Sequence, residues 1–153
     1  MPPGWKVTPP KDDDEYFERM TKSLFTAGLN WKMIENKWPN FEKAFAGFST
    51  AKVSKFSGKQ VKSLMQDTGI VRNEKKIEAT IYNAKAVMDA SKEFGSFKNY
   101  LASFKKDDEG LQTDLQKRFK HLGASSSRTF LWSVGHPLTP NAEEKAWLAN
   151  DKT

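Results

Sequence analysis

The chain has 153 residues, of which 37% are hydrophobic and 29% are charged, and its formal net charge is +6. This composition is typical of one soluble globular domain, so we expect a single domain over residues 1–153. No run of about 18 apolar residues is present, which excludes a membrane-spanning helix. The chain has no cysteine, which excludes disulfides and Cys-ligated zinc. We expect a cytoplasmic monomer that has no secretory signal and needs no cofactor.

Apolar side chains recur at helical spacing along the chain, and no alternating strand pattern is present. The spacing predicts helices that carry the following stripes: Tyr16, Met20, Leu24 and Ala27; Trp31, Ile34 and Trp38; Phe41, Phe45 and Phe48; Val53 and Phe56; Val61, Leu64 and Met65; Ile77, Ile81, Ala84 and Met88; Phe97, Tyr100 and Leu101; Leu111, Leu115 and Phe119; Phe130, Leu131 and Val134. Gly28 is expected to end the first helix and Pro39 the second. A last helix is expected to begin at Thr139, before a proline. The predicted fold class is therefore all-α.

Positive charge is concentrated in the middle of the chain. Between Lys52 and Lys76 there are seven Lys or Arg and two Asp or Glu, an excess of five positive charges. Such a patch favours a polyanion as partner, because cations that meet phosphates release condensed counterions. The alternative is an ordinary solvated helix face.

The same segment contains a short turn between two predicted helices, and we place the resulting helix-hairpin-helix element at about residues 58–90. Ser57 and Asn73 are the expected caps of the two helices, and Gly69 is expected to take a positive φ at the turn. The first amides of the second helix would then face outward as donors to an anion. Five residues are predicted to bind DNA phosphates without reading the base sequence: Gly69, Val71, Arg72, Lys75 and Lys76. An ordinary αα-hairpin is the alternative.

Two segments carry longer motifs. The first contains Tyr16-Phe17-Glu18, then Ala27-Gly28-Leu29-Asn30-Trp31, then Phe41-Glu42-Lys43-Ala44-Phe45. The second contains Gln66-Asp67-Thr68-Gly69-Ile70-Val71-Arg72, then Lys76-Ile77-Glu78-Ala79 and Asn83-Ala84. In order and spacing these motifs resemble the type I 3-methyladenine DNA glycosylases over about residues 12–90. The resemblance implies an all-helical, helix-hairpin-helix glycosylase fold, with duplex DNA as the partner.

The resemblance also implies roles for residues around the first motif. Gly28 and Leu29 match the wedge that fills the space of an extruded nucleotide. Trp31 matches an aromatic residue of the base pocket, and Trp5 is a candidate for a second one. An indole face would attract a cationic methylated purine. The implied reaction is hydrolysis of the N-glycosidic bond of a 3-methylated purine during base-excision repair.

One position departs from the family pattern. Ser23 stands where the family has a glutamate that contacts the flipped base, and a serine supplies no negative charge to an oxocarbenium-like transition state. Ser23 therefore remains a predicted pocket residue, while Glu35 and Asp67 are the candidate catalytic carboxylates. A structural role as a cap or brace of the hairpin is the alternative for Asp67. An ordinary surface position is the alternative for Glu35, and a core position is the alternative for Trp31.

The family usually carries a structural zinc site, but this chain offers only His121 and His136 and no cysteine. We therefore expect no metal. Two other functions stay open beside the glycosylase. A non-catalytic DNA-binding module would keep the hairpin and the wedge, and Ser23 is its best support. A helical protein-interaction domain would use the following tryptophans as contact anchors: Trp38, Trp132 and Trp147.

Overall fold

The computed structural model describes residues 8–150, and every regular element in this range is helical. The elements are α1 (Asp13–Thr26), α2 (Trp31–Ala44), a 3-10 turn (Ala46–Phe48), α3 (Thr50–Val53), α4 (Gly58–Leu64), α5 (Glu74–Phe94), α6 (Phe97–Ala102), α7 (Asp108–Arg118), α8 (Ala124–Ser133) and α9 (Ala142–Asn150). The all-α prediction is confirmed. None of the described helices is both long and apolar enough to cross a membrane. The predictions for Trp5 and for the Trp147 side chain fall outside the described part of the chain.

The centre of the fold is the pair α1 and α5. Helix α5 packs against α1, α3 and α6, and α1 also packs against α8. Beside this pair, Trp38 stacks on Phe41 and Phe48 with ring centroids 5.0 Å and 5.1 Å apart. Trp38 is only 6% exposed. This tryptophan is a core residue, so its predicted use as a contact anchor in a protein-interaction domain was wrong.

The prediction that Pro39 stops the second helix was also wrong. Helix α2 runs through the exposed Pro39 to Ala44. Ile34, Trp38 and Phe41 lie on one face of α2 and are all buried. Burial of these large side chains on both sides of the proline offsets the roughly 3 kcal/mol that a proline costs inside a helix.

Helix α9 begins at Ala142 and not at the predicted Thr139. The Asn141 side chain accepts a hydrogen bond from the Glu144 N–H at 2.9 Å, and the Glu144 carboxylate accepts from the Asn141 N–H at 3.0 Å. This reciprocal cap fixes the start of the helix. Arg128 donates to the Thr139 carbonyl at 2.8 Å, which holds the preceding residues outside the helix.

Acidic residues at the start of α1 hold it against its neighbours. Asp12 is the N-cap of the helix. The Asp13 carboxylate accepts from the Phe97 N–H at 2.9 Å, and the Asp14 carboxylate accepts from the Thr50 N–H at 3.0 Å. These bonds connect α1 to the starts of α6 and α3. The orientation of α1, which carries the predicted wedge at its other end, is thereby fixed.

Candidate functional site

The hairpin between α4 and α5 is formed as a capped turn. The Asn73 side chain caps α5 by accepting a hydrogen bond from the Lys76 N–H at 3.1 Å. Arg72 and Lys75 are exposed on either side of this cap. Within residues 8–150, the Val71 N–H has no hydrogen-bond acceptor. A free amide beside two cations at a helix start forms a favourable place for an anion.

Gly69 lies in this turn for a different reason from the predicted one. Its φ is outside the left-handed region, so the expected positive φ was wrong. A Cβ added at Gly69 would lie 3.0 Å from Cγ of Asn40. The Asn40 amide donates to the Gly69 carbonyl at 3.1 Å, and the Asp67 carboxylate accepts from the Gly69 N–H at 2.8 Å. Glycine is therefore needed because α2 approaches the hairpin closely, and Asp67 braces the turn.

The side chain of Lys76 is directed toward α1 and is partly buried. Its Nζ donates to the Ala27 carbonyl at 3.1 Å and lies 3.4 Å from the Phe25 carbonyl. Burial lowers the pKa of the Lys76 ammonium. The sequence grouped Lys76 with the phosphate-binding residues, but this contact with α1 was not visible in any local pattern.

The turn after α1 presents an exposed apolar side chain. Gly28 has a φ of 75°, a conformation that glycine adopts without strain. The Leu29 N–H donates to the Thr26 carbonyl at 2.9 Å, and Leu29 is 40% exposed. Met33, one turn further along, is exposed as well. A small residue followed by a protruding apolar one has the form that insertion into a base stack requires.

Ser23 lies in the interior. It is 2% exposed, and its hydroxyl donates to the Arg19 carbonyl one turn earlier in α1 at 3.1 Å. In this conformation the hydroxyl is engaged within its own helix. Arg19 is itself held by the Ser133 carbonyl at 2.5 Å and by the Glu15 carboxylate at 3.1 Å. Sequence reasoning missed this buried arginine, because an arginine in an amphipathic pattern looks like a surface residue.

Trp31 and Glu35 share one face at the start of α2. Trp31 is the first residue of the helix and is half-buried, and Glu35 lies one turn further on. Oε2 of Glu35 is buried and lies 2.5 Å from Nζ of Lys22 in α1. This ion pair joins α1 and α2 beside Trp31 and fixes the position of the carboxylate. Nothing in the sequence indicated the partnership, since the two residues are on different helices.

A cavity of about 320 Å³ lies where α1, α2 and α8 meet. Its lining consists of Glu15, Glu18, Arg19, Lys22, Trp38, Glu42 and Ser133. Lys22 thus belongs both to this cavity and to the ion pair with Glu35. Of the predicted pocket residues that the structure describes, neither Ser23 nor Trp31 belongs to this lining.

The described residues do not fit a tetrahedral zinc site. Among residues 8–150, no three His, Asp or Glu side chains are close enough together to hold a metal ion. His121 is exposed, and His136 is half-buried. Burial lowers the pKa of the His136 imidazole. Independence from zinc remains a prediction.

The described helices form an all-α domain with a capped helix-hairpin-helix element between α4 and α5 and an exposed apolar turn after α1. The protein-family model for methyladenine glycosylase matches residues 4–130 of this chain. The chain belongs to the methyladenine glycosylase family.

Individual relatives agree with this assignment. The chain is similar to the DNA-3-methyladenine glycosylase of Haemophilus influenzae, with 30% identity over 96 residues, which are 63% of this chain and 52% of that protein. It is also similar to DNA-3-methyladenine glycosylase 1 of Escherichia coli, with 33% identity over 100 residues, which are 65% of this chain and 53% of that protein. The chain spans about half the length of the curated relatives it matches.

Solved structures show the same architecture over a larger share of both chains. The 3-methyladenine DNA glycosylase I of Staphylococcus aureus matches with a TM-score of 0.78 and 26% identity, over 92% of this chain and 87% of that one. A variant 3-methyladenine DNA glycosylase I solved in complex with 3-methyladenine matches with a TM-score of 0.78 and 25% identity, over 92% and 88%.

Proposed function

We propose that this protein is a monofunctional DNA glycosylase of base-excision repair, which hydrolyses the N-glycosidic bond of a 3-methylated purine in duplex DNA. The observation that carries the proposal is the arrangement at the α1–α2 turn. There an exposed Leu29 lies two residues before the half-buried Trp31, and the braced hairpin is tied to the same turn. We further propose that the protein acts as a cytoplasmic monomer without cofactor or zinc.

The first step is binding of the DNA backbone at the hairpin. A phosphate would accept from the Val71 amide, which lies three residues before α5 near the positive end of the helix dipole. Arg72 and Lys75 would add charge, and Gly69 would keep the turn tight against α2. None of these contacts reads a base, so binding is independent of sequence. The protein would then recognise a lesion because a damaged nucleotide costs less free energy to extrude from the base stack than an intact one.

The second step is extrusion of the damaged nucleotide. The Leu29 side chain enters the base stack in place of the extruded base. Gly28 has no side chain, so the backbone of the turn can approach the DNA closely. The extruded purine stacks on the indole of Trp31. A 3-methylated adenine carries a positive charge, so that stacking gains about 0.5–2 kcal/mol from the cation–π effect. Trp5 remains a candidate for the opposite side of the base.

The third step is cleavage of the glycosidic bond. The electron pair of that bond moves onto the purine and cancels its positive charge, so the base leaves without being protonated. Positive charge develops on the sugar, and water then adds to C1′ and loses a proton. We propose Glu35 as the carboxylate that stabilises this sugar cation, because Lys22 holds it one helical turn from Trp31. Asp67 is a brace in this proposal, because its carboxylate is bound to the Gly69 N–H.

A direct test is formation of abasic sites. Duplex DNA treated with a methylating agent is incubated with excess protein, and strand breaks are counted after alkaline cleavage. Breaks that increase with time above those of protein-free DNA support the proposal. Firm binding without any increase in breaks would contradict it.

A non-catalytic DNA-binding module is the second candidate, and one observation favours it. Ser23 is buried and its hydroxyl is engaged with the Arg19 carbonyl, so the position that supplies a base-contacting carboxylate in the family supplies nothing here. In this case the hairpin and the wedge would bind DNA without base release.

A further inference from the structure

The ammonium group of Lys76 links the hairpin to the turn that carries the proposed wedge. Lys76 lies in the first turn of α5, where its own N–H is bound by the cap residue Asn73 at 3.1 Å. Its Nζ reaches α1, where it donates to the Ala27 carbonyl at 3.1 Å and lies 3.4 Å from the Phe25 carbonyl. A single side chain thus joins the start of one helix to the end of another.

The end of α1 needs such a partner. Its last turn contains no basic residue, although the carbonyls there carry the negative end of the helix dipole. The chain turns sharply at Gly28, which has a φ of 75°. The helix therefore cannot continue and satisfy the Ala27 carbonyl from its next turn. Lys76 supplies both the missing donor and the missing positive charge.

The neighbouring lysine provides a natural comparison. The Lys75 side chain is exposed, whereas the Lys76 side chain lies partly buried with its Nζ 6.0 Å from the centre of the Phe25 ring. Two adjacent lysines of equal formal charge therefore have different surroundings. The ammonium group of Lys75 is available to a phosphate, whereas that of Lys76 is bound to carbonyls at the end of α1.

We propose that Lys76 is a positioning residue that couples phosphate binding at the hairpin to insertion of the turn at Gly28 and Leu29. When Arg72 and Lys75 hold a phosphate, the start of α5 is fixed on the DNA backbone. Lys76 then fixes the distance from that point to Leu29. The inference rests on the proposed glycosylase function and replaces a phosphate contact for Lys76 by a contact within the protein.

The test compares Lys76→Met with its matched control Lys75→Met, both checked for folding by circular dichroism. Duplex DNA affinity is measured across salt concentrations, and base release is measured in single turnovers with protein in saturating excess. Lys75→Met should reduce the salt slope by about one, because it removes a phosphate contact. Lys76→Met should leave the slope unchanged and lower the saturated rate roughly ten- to hundredfold, because Leu29 is misplaced. Lys76→Arg should restore part of the rate.

Amide hydrogen exchange at Leu29 gives a readout that does not depend on catalysis. Duplex DNA should slow this exchange in the parent and in Lys75→Met, but much less in Lys76→Met. If the parent releases no base, the proposed function fails, and the exchange pattern alone still decides the coupling. A Lys76→Met protein that loses one unit of salt slope and keeps its saturated rate would overturn the inference. Equal slowing of Leu29 exchange in all three proteins would overturn it as well. If Lys76→Met does not fold, the same comparison is made with Lys76→Gln, which keeps an N–H donor without the charge.

Discussion

Two regions of this protein differ in where their polar groups are directed. We call the turn between α4 and α5 the hairpin side, and the end of α1 with the start of α2 the base side. On the hairpin side, Asn40 and Asp67 hold Gly69 from both directions, and Arg72 and Lys75 remain exposed. On the base side, the Ser23 hydroxyl is engaged within α1. The hairpin therefore presents exposed cations to solvent, while the hydroxyl of Ser23 is used within its own helix. The proposed binding groups lie within a few residues of one another on the hairpin, whereas the proposed excision groups come together from separate helices.

The largest effect should come from the carboxylate of the base side. Glu35→Gln removes the negative charge proposed to stabilise the sugar cation, and we expect the saturated excision rate to fall about 10²- to 10³-fold. Single-turnover release of bases from methylated duplex measures this rate. The matched variant is Asp67→Asn, which weakens the brace of the hairpin. It should weaken DNA binding and leave the saturated rate nearly unchanged. The reverse pattern would move catalysis to Asp67.

Trp31→Ala should produce the next largest effect. Loss of base stacking worth about 1–3 kcal/mol predicts a fall in excision of about 5- to 150-fold, with duplex affinity almost unchanged. Met33→Ala is the control, because it removes an exposed apolar side chain from the same helix. If both variants lose excision equally, stacking on Trp31 is not the reason for base selection.

A substitution that changes no charged residue should also disrupt the hairpin. Gly69→Ala places a Cβ 3.0 Å from the Asn40 side chain, and we expect it to destabilise the fold by about 1–3 kcal/mol and to weaken DNA binding. Thermal unfolding and duplex titrations measure both effects. A Cβ at Gly58 meets open space, so Gly58→Ala should keep both properties. Normal stability of Gly69→Ala would show that α2 and the hairpin do not need this close approach.

Ser23→Ala should change little. The hydroxyl bonds only to a carbonyl of its own helix, and such a bond contributes weakly to helix stability. Excision and melting temperature should both match the parent within error. A clear loss of excision with normal stability would mean that Ser23 turns toward the base when DNA is bound.

Chelation should have the smallest effect. A chain without cysteine offers no closed tetrahedral zinc site of the kind that stabilises small folds. Incubation with a strong chelator should therefore leave the melting temperature unchanged. A fall in that temperature, together with zinc found by elemental analysis, would contradict the expectation.

The contrast between the two sides also explains what the sequence could predict. Helix stripes such as that of Tyr16 and Met20, and caps such as Asn73, depend on neighbours within a few residues, and these predictions agreed with the structure. The Pro39 prediction failed because the aromatic core outweighs a local helix breaker. The role of Gly69 was wrong because Asn40 is distant in sequence.

The sequence predicted the side-chain contacts of the base side less well than it predicted the fold. The partner of Glu35 is Lys22 in another helix, and the partner of Lys76 lies at the end of α1. Neither contact leaves a periodic signature. The resemblance to the family predicted which segment forms the site, but the role of a position such as Ser23 depends on the side chains around it.

The proposed function requires that this protein excises a methylated purine although Ser23 supplies no carboxylate. Its most direct measurement is the mass of the free bases that the protein in excess releases from methylated duplex DNA. We expect 3-methyladenine in the fraction that the parent releases, and much less of it with Glu35→Gln. Release of no base by a folded parent that binds the same duplex would contradict it.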